Sequence, residues 1–76
     1  MDVARVEQGM PLVHQVGDGP RTERVVTWLS RPWVRVAQAR DGRAIEGGFA
    51  KQVLLSVLST RCWQAWTRPA QDGATP

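Results

Sequence analysis

Apolar and polar positions are most regular in residues 48–66. Set at about 100° per residue, Val53, Val57, Ala50, Leu54, Ala65 and Leu58 fall within one arc of about 140°, with Phe49 at its edge. Ser59, Gln52, Ser56 and Thr60 lie opposite. The spacing predicts an amphipathic helix over 48–66. Burying Phe49, Val53, Leu54, Val57 and Leu58 contributes ~10 kcal/mol at ~2 per side chain. Ordering the backbone costs ~1 to 2 kcal/mol per residue, so such a helix needs the preceding residues, or a second molecule, to pack against.

Upstream the pattern changes to that of strands. Residues 1–9 read as an irregular arm or an edge strand. Leu12, His14 and Val16 share one side of a short strand that Gly17-Asp18-Gly19-Pro20 closes in a turn. Residues 24–43 fit two hairpins. With Leu29-Ser30-Arg31-Pro32 as a loop, Trp28 faces Trp33, Val26 faces Arg35 and Val25 faces Val36, so that Val25, Leu29, Val34 and Val36 share a face. Asp41-Gly42 supplies a second, tighter turn that sets Arg40 opposite Arg43 and Gln38 opposite Ile45, adding Ile45 to that face. The expected fold is a small α+β domain over 1–67: an antiparallel β-meander of two hairpins with one C-terminal amphipathic helix packed on it. The alternative is a three-helix domain, with Thr22 capping one helix and Pro32 opening the next. Val25, Val26, Thr27, Trp28, Trp33, Val34 and Val36 favour the sheet. Residues 68–76 are rich in breakers and read as a disordered tail.

Charge adds a second layer. The net charge is +3, and Lys51 is the single lysine beside nine arginines. Residues 21–43 hold six of those arginines against Glu23 and Asp41, making the centre of the chain its electropositive part. The absence of Asn and Tyr and the abundance of Arg, Ala, Gly and Val point to a GC-rich coding sequence, as in a high-GC bacterium or its phage. Cys62 is the only cysteine, which excludes an intramolecular disulfide. The N-terminal residues lack the apolar run of a signal peptide, and the longest uninterrupted one elsewhere is Val53-Leu54-Leu55. A cytoplasmic protein without a membrane span is expected.

Catalytic chemistry finds little to work with. Cys62 and His14 are the only nucleophile and base of the thiol type, and Cys62 falls late in the expected helix, away from the end whose dipole favours a thiolate. His14 with Asp18 falls short of a zinc site, and no helical or strand spacing pairs two carboxylates. Gly47-Gly48 between Arg43 and Lys51 offers free amides at a helix start but no other phosphate-loop residue. No enzyme activity, cofactor, metal or small-molecule substrate is expected.

Two features stand out for binding. The hairpin parity puts Arg24, Trp28, Trp33 and Arg35 on one face, with Arg31 in the loop and Arg40 and Arg43 across the tip. Guanidinium groups interleaved with flat rings suit the phosphates and bases of a single-stranded nucleic acid. At the helix end, Arg61 and Gln64 project into the apolar arc while Trp63 and Trp66 point outward, and large aromatics beside an arginine are enriched at protein interfaces. The favoured function is a small non-enzymatic protein-binding module, such as an inhibitor, accessory subunit or adaptor, using Arg61, Trp63 and Trp66 on another protein or on itself. The alternative is a single-stranded nucleic-acid binder using Arg24, Trp28, Arg31, Trp33, Arg35, Arg40 and Arg43. A third reading is the product of an open reading frame without a specific evolved function.

Overall fold

The computed structural model describes residues 1–66, which form antiparallel strands and two short 3₁₀ turns. The strands are β1 (Pro11–His14), β2 (Thr22–Ser30), β3 (Trp33–Arg40), β4 (Arg43–Ala44), β5 (Ala50–Leu54) and β6 (Trp63–Ala65). They make one sheet in the order β4-β3-β2-β1-β6, with β5 lying beside β3 on the same edge as β4. The 3₁₀ turns are Val3–Arg5 and Leu55–Ser59. The α+β expectation is therefore overturned, and so is the three-helix alternative: no helix of the described residues is longer than a 3₁₀ turn.

Residues 48–66 part company with the helical pattern for local and long-range reasons. Ser59 Oγ donates to the Ser56 carbonyl at 2.6 Å and Thr60 Oγ to the Val57 carbonyl at 2.9 Å, bonds that compete with helix continuation. Leu54 at the N-cap offers no side-chain cap. Residues 50–54 instead gain a full antiparallel ladder on β3, with Val53 opposite Val34 and Lys51 opposite Val36. The burial differs from the helical arc accordingly. Leu55, outside that arc, is buried together with Leu58, a spacing of three that suits a 3₁₀ turn, whereas Leu54 and Val57, inside it, are exposed.

The central hairpin shows where parity reading succeeds and where it slips. The β2–β3 turn is two residues tighter than expected: Arg31 and Pro32, joined by a cis peptide bond, connect Ser30 to its partner Trp33. A shift of two leaves every side chain on its expected face, so Leu29, Val34 and Val36 share one side, and Trp28, Trp33 and Arg35 the other. A bulge between Val26 and Trp28 then inserts one residue, Thr27, and reverses the faces upstream of it. Val26 and Arg24 join the Val34 and Val36 side, and Val25 joins the side of Ala37. At the far end Asp41 (φ 54°) and Gly42 (φ 82°) form a tight turn, and Arg40 lies opposite Arg43.

One face, here the inner, carries the core. Leu12, Val26, Val34, Val36 and Trp63 are covered by Val6 of the N-terminal arm and by Leu55 and Leu58 of the second 3₁₀ turn. The arm is held by its terminal ammonium, which donates to the Leu58 carbonyl at 3.2 Å. Leu55 N–H donates to the Pro32 carbonyl at 2.8 Å, tying the second 3₁₀ turn to the β2–β3 turn. The outer face holds only a minor cluster, Val25, Ala37 and Ala39, at the end away from that turn. The tail expected at 68–76 lies outside the described residues.

Candidate nucleic-acid interface

The outer face near the β2–β3 turn is an open surface built by three adjacent strands. Cross-strand pairing places Trp28 beside Arg35 and Arg35 beside Gln52 in one row, with Ser30, Trp33 and Leu54 in the next. The Arg35 guanidinium lies over the Trp28 ring at 5.3 Å from its centroid. Trp33 is 41 % exposed and Leu54 44 %, so this row presents a ring and an aliphatic side chain side by side. Arg31 is exposed in the adjoining turn. No Asp or Glu occurs between residues 24 and 40 or between 47 and 66, so the part of this face near the β2–β3 turn is free of carboxylates; Glu23 lies at the far end of β2.

The seven residues expected to act together do not all meet. Trp28, Arg31, Trp33 and Arg35 share the outer face and its turn. Arg24 is on the inner face, reversed by the bulge, and its guanidinium lies over Phe49 at 4.7 Å. Arg40 and Arg43 face each other at the opposite end of β3, up to about 24 Å from Trp33 at ~3.4 Å per strand residue.

The protein-interface trio loses its basis with the helix. Trp63 is 8 % exposed, packs in the main core and sets its ring 4.4 Å from that of His14. Trp66 is half-buried, its amide donates to the Pro11 carbonyl at 3.0 Å, and its ring lies 3.5 Å from where a Cβ on Gly42 would stand. Arg61 alone of the three is exposed, in the turn before β6. Gly47-Gly48 also changes meaning: it belongs to a turn in which Gly48 N–H donates to the Ile45 carbonyl, and an extended strand follows it, so the helix start that would attract an anion is absent. Cys62 is half-buried against the core. Among the described residues, no three His, Cys, Asp or Glu side chains gather where a metal ion could be held, and no helix is long and apolar enough to cross a membrane.

Sequence reasoning missed a grouping on the inner face, where Arg24, Phe49, Lys51 and His14 surround a hollow. They come from three strands and a loop, and no local spacing joins them. No protein-family model, curated protein or solved structure matches the chain.

Proposed function

We propose that this chain is a small non-enzymatic binding protein of the cytoplasm whose outer sheet face takes single-stranded nucleic acid. The observation that carries this reading is the exposed Trp33 ring beside the Arg35–Trp28 pair, at the end of the outer face that has no carboxylate in its strands. A base stacked on Trp33 gains ~1 to 3 kcal/mol. Arg35, over Trp28 and exposed, offers a second platform for a base and N–H groups for a phosphate. Arg31 extends the positive surface beyond the turn. Stacking and phosphate contacts carry no base code, so the reading implies tolerance of sequence.

Two arginines, not five, meet the strand in this arrangement. Log K should therefore fall with log[salt] at a slope of about −1.4, from ~0.7 per phosphate on single strands. Fluorescence anisotropy with a mixed-sequence labelled oligonucleotide measures it. A flat salt dependence, or no binding at low salt, sinks the proposal.

The Trp33–Leu54 row favours a second reading, a protein partner or a second copy seated on the same face. This replaces Arg61, Trp63 and Trp66 as the protein-binding patch. Affinity capture with and without nuclease separates the two: partners retained after nuclease support the protein interface.

A further inference from the structure

On the inner face, the opposite edges of the sheet approach each other across a hollow of about 160 Å³. Its floor is apolar and buried: Val36 from β3 and Trp63 from β6, with Val53 of β5 beside them. Phe49 and Val57 are also at the hollow but remain partly in solvent, Phe49 at 46 % exposure. A hollow of this volume is comparable with a core cavity of ~150 Å³ that accepts a benzene-sized ring.

The same hollow carries two cations and no anion. Arg24 and Lys51 both line it, from β2 and β5. Among the described residues the one ion pair is Arg5 with Asp2, so neither cation has a carboxylate partner. One Arg24 N–H donates to the Glu23 carbonyl at 3.0 Å and the guanidinium lies over Phe49, leaving further donors of its fork for a ligand. Burial lowers the Arg24 pKa, which marks a charge partly stripped of water. His14 completes the group. Burial first, then Arg24 and Lys51, pull its imidazole below the usual value, so at neutral pH it adds no third charge and can donate one hydrogen bond.

We propose that this hollow binds a small aromatic carboxylate, its ring on Val36, Val53 and Trp63 and its carboxylate between Arg24 and Lys51. The apolar floor sets the ring, and the two cations set the anion. A ligand of this kind supplies both the buried surface and the charge that the site lacks. Size argues for one ring, since the volume leaves no room for a chain of residues. The site is on the opposite face from Trp28 and Trp33, and the inference stands independently of the nucleic-acid reading.

Nuclear magnetic resonance titration tests it with 3-phenylpropanoate as probe and its neutral amide as control. The carboxylate should shift the Trp63 indole and His14 imidazole signals saturably while leaving those of Trp28 and Trp33 in place. The amide should bind about tenfold more weakly, the loss expected for a charge-assisted hydrogen bond. Lys51→Gln, at an exposed position that leaves folding intact, should weaken the carboxylate several-fold and the amide little. Arg24→Gln should do so more strongly, and its spectrum shows whether the fold is kept. Equal affinity for acid and amide, an unchanged affinity in Lys51→Gln, or shifts that do not saturate would overturn the proposal.

Discussion

The two faces of the sheet carry the same pair of groups in different settings. On the outer face Arg35 covers Trp28 at 5.3 Å, and on the inner face Arg24 covers Phe49 at 4.7 Å. The outer pair stands on a surface open to solvent beside the exposed Trp33. The inner pair stands at a hollow floored by the core, beside Lys51 and His14. Residue type is thus a poor guide to what an arginine-aromatic pair can hold. An open row suits an extended chain with several bases, whereas a concavity with a buried floor suits one ring and one charge.

The largest way to test the contrast is through stability. Trp63→Ala removes a core ring and should cost ~3 to 5 kcal/mol. A chain of this length has roughly 4 to 11 kcal/mol in total, so much of its stability would go. Trp33→Ala, at an exposed position, should cost less than ~1 kcal/mol. Urea denaturation of both variants decides the matter, and equal losses would mean that the two faces are not distinct. Binding should reverse the ranking. Trp33→Ala should lose ~1 to 3 kcal/mol of oligonucleotide affinity, while Phe49→Ala on the inner face should leave that affinity unchanged. A loss at Phe49 as large as that at Trp33 would place the nucleic acid on the wrong face.

Gly42→Ala probes the far end of the outer face. The φ of 82° strains any residue with a Cβ, and the added methyl would meet the Trp66 ring at ordinary contact distance. A destabilisation of about 1 kcal/mol is expected, with oligonucleotide binding kept, because this turn is remote from Trp33. Melting curves and anisotropy on one preparation check both halves.

The smallest effect belongs to His14. Its folded-state pKa is lowered, first by burial and then by Arg24 and Lys51, so the unfolded chain binds the proton more readily. Stability from this group is complete above the ordinary imidazole value of about 6.5 and declines as pH falls through it toward the folded-state value. His14→Gln should flatten that decline in urea midpoints measured on both sides of this range. A wild-type midpoint that rises on acidification through the same range would reverse the sign and contradict the geometry.

Parts of this architecture are legible in the sequence because they rest on local chemistry. Asp41-Gly42 favours positive φ at both positions, a local preference that sets Arg40 opposite Arg43. Alternation keeps Trp28, Trp33 and Arg35 on one side, since an error of two in the turn preserves parity. The bulge at Thr27 has no such local signature. It reverses Arg24, Val25 and Val26, and with them one arginine of the expected nucleic-acid face. Residues 48–66 were misleading for a related reason: a run of Leu, Val and Ala fits a helical period, but Ser59, Thr60 and the open edge of β3 favour a strand and a 3₁₀ turn.

By itself, the sequence determined the single unpaired cysteine, the carboxylate-free stretches, the concentration of arginines in residues 21–43 and the tight turn at Asp41-Gly42. Only the tertiary structure decided that Trp63 belongs to the core, that Leu55 is buried while Leu54 is not, and that Arg24, Lys51 and His14 surround one hollow. Turn preference and charge are properties of residues and their immediate neighbours. Burial depends on which distant strand lies alongside: β5 gains its ladder from β3, and β6 gains its place from β1, both across long intervals of chain. The free energy of those pairings outweighs the weak helical preference of residues 48–66, and it is released only when the sheet is assembled.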